Sequence, residues 1–374
     1  MRILIVSGIF EPDIGGPATY APRLAAKLTE LGHDVQLVTY SDKPQYDADA
    51  RYRFKLERVL RRGKIANRIK MFFAVRRAAR QCDIVYLLDW FAAGFPASLA
   101  ADLAGKKYVV RIGGDYLWER YLSSGAPPLP LADFYAKGLY RAAQYGPHRY
   151  MIGRVLRKAA RVIFNTEKQR ELYERYMGVG GAAVIRNPIP RTETAEIHRS
   201  TASKEFVFWG RIVAMKNLSS LIKAFATAKI PQDFTLAIIG DGPKKAGLEH
   251  LARELNVNDR MNFFPAMPLS GVLERVKDAR AFVLPSWTDI SPNQVYEALA
   301  IGLPALVTSE NYLSIGSRLP VTIDPRSVGD IAAKIEMLAD DTQYASFAER
   351  FASIRESRDW KDVADEHVRI FETL

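Results

Sequence analysis

Two carboxylates stand eight residues apart in the stretch AFVLPSWTDISPNQVYEALAIGLPALVT, Ala281 to Thr308. Asp289 lies in a short polar loop after the apolar run AFVLP, and Glu297 about two turns into the segment SPNQVYEALA. The run reads as a buried strand and the segment as a helix, with Ser291 as its cap and Pro292 in its first turn. Gly302 and Pro304 end the helix, and PALVT is the next strand. Open α/β sheets bind ligands at the carboxyl ends of their strands. A helix start there offers unpaired N–H groups and the positive end of a dipole, which suits a phosphate. Pro292 has no N–H, so the amides of Asn293 and Gln294 carry that role. Carboxylates accept hydrogen bonds from hydroxyls. An anion site with two carboxylates beside it fits a ligand bearing both phosphates and hydroxyls, such as a nucleotide sugar. The competing reading makes Asp289 a helix cap and Glu297 a solvated helix residue.

The rest of the chain supplies elements to hold such a loop. RILIVSG reads as a buried strand, Gly15-Gly16 as a loop that lets backbone approach a ligand, and Tyr20, Leu24, Ala25, Leu28 and Leu31 as one face of a helix. The glycine spacing is not G-x-G-x-x-G, so the dinucleotide fingerprint is absent. DVQLVTY, YRFKLERV, DIVYLLD, KKYVVRI and RVIFNTE are further strands; AAVIRNPI closes a first domain. Residues 121–161 read as broken helices around the loop SSGAPPLPL, either packing or acceptor contact. The polar segment Pro190 to Lys204 is a linker. The strand–helix alternation then restarts with EFVFWGRI, NLSSLIKAFATA, FTLAIIG, GPKKAGLEHLAREL and RMNFFPA. The expected fold is α/β: two doubly wound Rossmann-like domains.

At 374 residues and 48% hydrophobic, two domains with real cores are expected. A single cysteine, Cys82, excludes an internal disulfide and fits a reducing compartment. The opening MRILIVSGIF reads as a strand rather than a signal peptide, and no run reaches a membrane-spanning length. From Arg51 to Arg80 twelve Lys or Arg face one acid, Glu57, a surplus equal to the chain's whole net charge of +11. Ile65, Ile69, Met71, Phe72, Phe73 and Val75 are interleaved with these cations. Such a basic amphipathic helix fits an anionic membrane surface or a solvated basic face. No nucleic-acid motif accompanies it, so no nucleic-acid partner is expected. Asp47-Ala48-Asp49 lies in a polar loop and reads as surface, and the five His show no ligand spacing, so no metal is expected. No nucleophile–base motif stands out, and Glu297 suits hydroxyl binding better than attack on a glycoside.

The acid–x7–acid stretch, followed by Ala298 and Gly302-Leu303-Pro304, resembles the retaining glycosyltransferases of the GT-B fold, family 4 in particular. Asp289 stands where that family usually has Glu, and Ser291-Pro292-Asn293 where a Phe-Gly pair is common. Gly210-Arg211, a short gap and Lys216 match the family's cation pattern for the donor diphosphate. Fixed cations there stabilise the charge that grows on a departing nucleoside diphosphate. The resemblance implies that Glu297 binds ribose, Asp289 the donor sugar, and Gly15 and Gly16 the other wall. It also seats the base by the loop Phe263 to Pro268, with Phe264 and Met267 as contacts. The family often carries a His at the end of the KKYVVRI strand; here Gly113 aligns with it, and Asp115 is the candidate for the catalytic contact. Gly240-Asp241-Gly242-Pro243 resembles the family's turn and reads as structural. The implied layout is a first, acceptor domain over residues 1–188, onto which 357–374 crosses back, and a donor domain over 189–356, facing each other across a cleft.

The resemblance implies transfer of a sugar, with retention, from a UDP- or GDP-linked donor to a glycan or lipid-linked acceptor, without a cofactor. The basic segment points to cell-surface polysaccharide or glycolipid assembly, in the cytoplasm or at the inner face of the membrane. Two other readings stay open: a sugar-nucleotide epimerase of the same fold, and a non-catalytic partner subunit.

Overall fold

The structure, a computed structural model, describes residues 1–13, 15–189, 203–354, 356 and 358–374. The expected linker therefore lies outside the described residues up to 202. The chain forms two compact units, Met1–Leu117 with Gly138–Pro188 and Arg358–Leu374, and Trp118–Lys137 with Ile189–Ser357.

In chain order the first part holds β1 (Arg2–Ser7), α1 (Gly16–Glu30), β2 (Asp34–Ser41), β3 (Lys55–Leu60), α2 (Lys64–Ala79), β4 (Ile84–Leu87), α3 (Gly94–Leu103) and β5 (Tyr108–Ile112). There follow α4 (Tyr116–Leu122), α5 (Leu131–Ala136), α6 (Gly146–Lys158), β6 (Arg161–Phe164), α7 (Glu167–Met177) and β7 (Ala183–Val184). The strands make one seven-stranded sheet in the order β3-β2-β1-β4-β5-β6-β7. Its pairings are all parallel. Parallel strands covered on both faces must be apolar throughout, which is why RILIVS and IVYL read as continuous apolar runs and are buried almost end to end. The order reverses between β1 and β4, which makes a switch point there.

The second part holds β8 (Glu205–Trp209), α8 (Leu218–Thr227), β9 (Thr235–Ile239), α9 (Lys245–Glu254), β10 (Met261–Phe264), α10 (Leu269–Val276) and β11 (Ala281–Leu284). It continues with α11 (Asn293–Ala300), β12 (Ala305–Thr308), β13 (Thr322–Ile323), α12 (Val328–Ala339) and α13 (Asp341–Ala352). Its sheet is parallel, in the order β10-β9-β8-β11-β12-β13, with the reversal between β8 and β11.

The last helix, α14 (Trp360–Glu372), belongs to the first unit and packs on α1. A capping box of Asp359 and Asp362 starts it. Its Val363, Ala364 and Phe371 join Tyr20, Leu24 and Tyr86 in one core. Residues 118–137, read from sequence as part of the first domain, pack instead with the second unit. There Trp118 Nε1 donates to the Leu129 carbonyl at 2.9 Å, and the Leu131 amide donates to Thr288 Oγ1 at 2.9 Å.

Candidate functional site

At the β8–β11 switch point, four contacts lock the loop after β8 against the loop and helix after β11. Lys216 Nζ lies 2.6 Å from Asp289 Oδ2, with both side chains buried. Trp209 Nε1 donates to Glu297 Oε2 at 2.8 Å. The Trp287 amide donates to the Met215 carbonyl at 2.9 Å. Gly210 has φ +136°, and a Cβ there would fall 2.7 Å from Gln294 Nε2. The backbone of Gly210 and the side chain of Gln294 thus meet because one residue has no side chain.

Asp289 is fixed on every side. Ser286 Oγ donates to the same Oδ2 at 2.8 Å, its amide donates to the Glu310 carbonyl at 3.1 Å, and its carbonyl accepts from the Tyr312 amide at 2.9 Å. The expected cap differs: the N-cap of α11 is Pro292, one residue after Ser291. Without an N–H, Pro292 loses nothing at that position, so the first helical amides are still those of Asn293 and Gln294. Arg211 is exposed and makes no ion pair among the described residues. A cation held at a switch point with its charge unspent is suited to a ligand phosphate.

Backbone contacts set the turn at residues 240–243. A Cβ on Gly240, at φ +149°, would lie 2.0 Å from the Gly210 carbonyl oxygen. The Ile212 amide donates to the Asp241 carbonyl at 2.9 Å. Asp241 Oδ2 also accepts from the Ala266 amide at 3.0 Å, which holds its carboxyl below the usual range and sets the loop of residues 264–268. In that loop Phe264 is half-buried under the Arg275 guanidinium, 4.8 Å from its ring centre, and its carbonyl accepts from the Gly240 amide. Met267 is half-buried and packs towards the second unit's core.

In the first unit, Gly15 is the N-cap of α1 and Gly16 its first residue, after β1 at the switch-point edge. Asp115 follows β5 but is 1% exposed, and Tyr173 Oη donates to its Oδ2 at 2.9 Å. The Gly113 carbonyl accepts from Asn165 Nδ2 at 3.4 Å. Arg111 on β5 is buried: Nη2 donates to the Ile185 carbonyl and Asn187 Oδ1, and the guanidinium lies 4.4 Å over the Tyr20 ring. Asp49 is no surface acid: it takes two hydrogen bonds from buried Arg58. Sequence reasoning missed Trp209 and Ser286, the partners of the two key carboxylates. Trp209 directly precedes Gly210-Arg211, the one local sign of its place. It missed Asp89 too, which sits after β4 and accepts from the amides of Phe91, Ala93 and Gly94 at the start of α3.

Two parallel Rossmann-like sheets, a last helix returned to the first of them, and loops gathered at the second sheet's switch point define a glycosyltransferase of the GT-B class. Family models agree: "Glycosyl transferase 4-like domain" matches residues 15–189 and "Glycosyl transferases group 1" matches residues 191–354. The chain belongs to this family, glycosyltransferase family 4. An uncharacterised glycosyltransferase of Haemophilus influenzae is 28% identical over 148 residues, 38% of this chain and 40% of its own. The match likewise spans 40% of each of the next two curated relatives. Among solved structures, Anabaena HepE in complex with UDP-glucose matches with TM-score 0.76 and 16% identity over all of both chains. WaaG, a glycosyltransferase involved in lipopolysaccharide biosynthesis, matches with TM-score 0.71 and 15% identity over 99% of each chain. At these identities the likeness is one of fold.

Proposed function

We propose that this chain transfers a sugar, with retention of configuration, from a nucleotide-diphosphate sugar to a glycan or lipid-linked acceptor. The observation that carries the reading is the convergence of Lys216, Asp289, Gln294 and Glu297 at one switch point. In this reading Arg211 and the Asn293 and Gln294 amides hold the diphosphate, at the positive end of α11. Lys216 has three N–H donors. One is engaged by Asp289, which leaves two for phosphate oxygens while the pair stays in place. Asp289 Oδ1 faces hydroxyls of the donor sugar, and Glu297, steadied by Trp209, takes the ribose. The loop with Phe264 and Met267 receives the base, the uracil of UDP or the guanine of GDP. Cations aimed at the leaving diphosphate stabilise the charge it gains as the glycosidic bond breaks.

In this reading the first unit, which includes residues 358–374, acts as the acceptor domain, and the second unit, which includes residues 118–137, as the donor domain. Asp115, buried against Tyr173, is a positioning residue that holds the turn after β5. The solved neighbour involved in lipopolysaccharide biosynthesis favours a cell-surface polysaccharide or glycolipid product, made in the cytoplasm or at the membrane's inner face. Calorimetry with UDP and GDP tests the donor site: one nucleotide binds the wild type, and Glu297→Ala loses it. If neither binds, the reading fails.

A further inference from the structure

Among the described residues, six large apolar side chains are exposed, and five of them lie on three helices of the first unit. Ile65, Ile69 and Phe73 are 78%, 53% and 57% exposed. They stand at i, i+4 and i+8 on α2, so they form one stripe along its outer face. Met71, Ala74, Val75, Ala78 and Ala79 fill the inner face. Leu103 ends α3, which packs on α2, and Tyr150 lies on α6, which packs on α3. The folded chain therefore keeps an apolar stripe in water after its core is complete, and contiguous exposed apolar surface of this kind marks an interaction site.

The charges around the stripe name the partner. Of the twelve cations between Arg51 and Arg80, several are paired with acids of the chain itself. Arg51 pairs with Glu11, Arg58 with Asp49, Arg61 with Asp13 and Asp42, and Arg77 with Glu57. Arg68 lies over the Phe91 ring at 4.7 Å. Arg62, Lys64, Lys70, Arg76 and Arg80 make no ion pair among the described residues. They lie on or beside α2 itself. Uncompensated cations flanking an apolar stripe match a bilayer whose surface is anionic and whose interior is apolar.

We propose that α2 docks this protein on an anionic lipid bilayer, with Ile65, Ile69 and Phe73 entering the headgroup–acyl boundary and Arg62, Lys64, Lys70, Arg76 and Arg80 facing lipid phosphate. This refines the membrane placement above and does not depend on the donor site. Docking there would hold the first unit at the surface where a lipid-linked acceptor resides.

The test is sedimentation of the full chain with neutral phosphatidylcholine vesicles and with vesicles containing phosphatidylglycerol. Binding is expected only to the second, and it weakens as salt is raised. Ile65→Ser/Ile69→Ser/Phe73→Ser should lower the partition coefficient at least about tenfold. Lys64→Glu/Lys70→Glu should lower it by about fivefold or more per cation, whereas Lys223→Glu/Lys229→Glu, the same charge change on α8 and after it, should not. All substituted side chains are solvent-exposed, and circular dichroism, melting and UDP calorimetry on each variant establish that the fold and donor site persist. The proposal is overturned if binding ignores lipid charge, if the stripe variant binds like wild type, or if the stripe instead drives self-association in sedimentation velocity without vesicle binding. Loss of nucleotide binding with intact docking would count against the donor site alone.

Discussion

Lys216 and Asp289 are 73 residues apart in the chain, yet Nζ and Oδ2 lie 2.6 Å apart with both side chains under a tenth exposed. β8 and β11 are neighbours in the sheet, so the loops at their carboxyl ends are forced together. The two residues that the family resemblance assigns to different parts of a donor are, before any donor arrives, each other's counter-ion.

Removing one member should cost more than removing both. Lys216→Ala leaves a buried carboxylate unpaired, which costs about 3–5 kcal/mol. Lys216→Met with Asp289→Asn should recover a large part of that stability while binding nucleotide no better than either single variant. Denaturant unfolding of the cycle, read beside UDP calorimetry, checks both halves.

Trp209→Phe keeps the packing against Phe282, whose ring centre is 4.1 Å from that of Trp209, and deletes only the N–H to Glu297. A hydrogen bond to a charged group contributes about 1.5–3 kcal/mol. Nucleotide affinity should fall by about tenfold, with a drop of roughly a few degrees in melting temperature. An unchanged affinity would show that Glu297 does not depend on the indole.

Two glycines should behave differently. At Gly240 an alanine Cβ would meet the Gly210 carbonyl oxygen at 2.0 Å, and backbone on both sides cannot yield. Gly240→Ala should destabilise by about 2 kcal/mol or more. At Gly210 the obstacle is the amide end of the Gln294 side chain at 2.7 Å, which can swing away. Gly210→Ala should fold with a smaller loss, but displace Gln294 and weaken donor binding. Parallel melting and calorimetry separate the two.

His367 links α14 to the first sheet. Its Nδ1 donates to the Val363 carbonyl at 2.6 Å, and its Nε2 accepts from Tyr86 Oη at 2.8 Å. Burial, with the Arg111 charge nearby, pulls its pKa down to about 3 from 6.5. Between those values the unfolded chain takes up a proton that the folded chain refuses. The stability this group contributes is complete above about pH 6.5 and is lost as pH falls towards 3, by about 1.4 kcal/mol per unit. Unfolding free energies measured from pH 7 to 4.5 should show this slope, and His367→Phe should flatten it.

Much of the fold could be read from local pattern. Parallel strands buried on both faces must be apolar runs, and β1, β4, β8 and β11 are such runs. The return of residues 357–374 to the first domain was expected from the family resemblance, and Val363, Ala364 and Phe371 of α14 meet the first core. The placement of residues 118–137 was not readable, because Trp118 and Leu131 are ordinary apolar residues whose partners, the Leu129 carbonyl and Thr288, are set by which core they meet. Ser291 was misread as the cap for a related reason. Ser and Pro both suit a helix start, and the choice between them depends on the path by which the loop carrying Asp289 reaches α11.

The sequence by itself determined which residues have the chemistry. Asp289 and Glu297 stay at the two ends of one loop–helix segment because they are close in the chain, and Gly210, Arg211 and Lys216 share one loop for the same reason. The tertiary structure alone decided who meets whom: Lys216 with Asp289, Trp209 with Glu297, and Arg61 turned inward to Asp13 while Lys64 and Lys70 stay in water. Spacing along a chain fixes neighbours within a turn or two. Contacts across 70 or 90 residues are fixed by strand order, and strand order comes from burying both faces of two sheets at once.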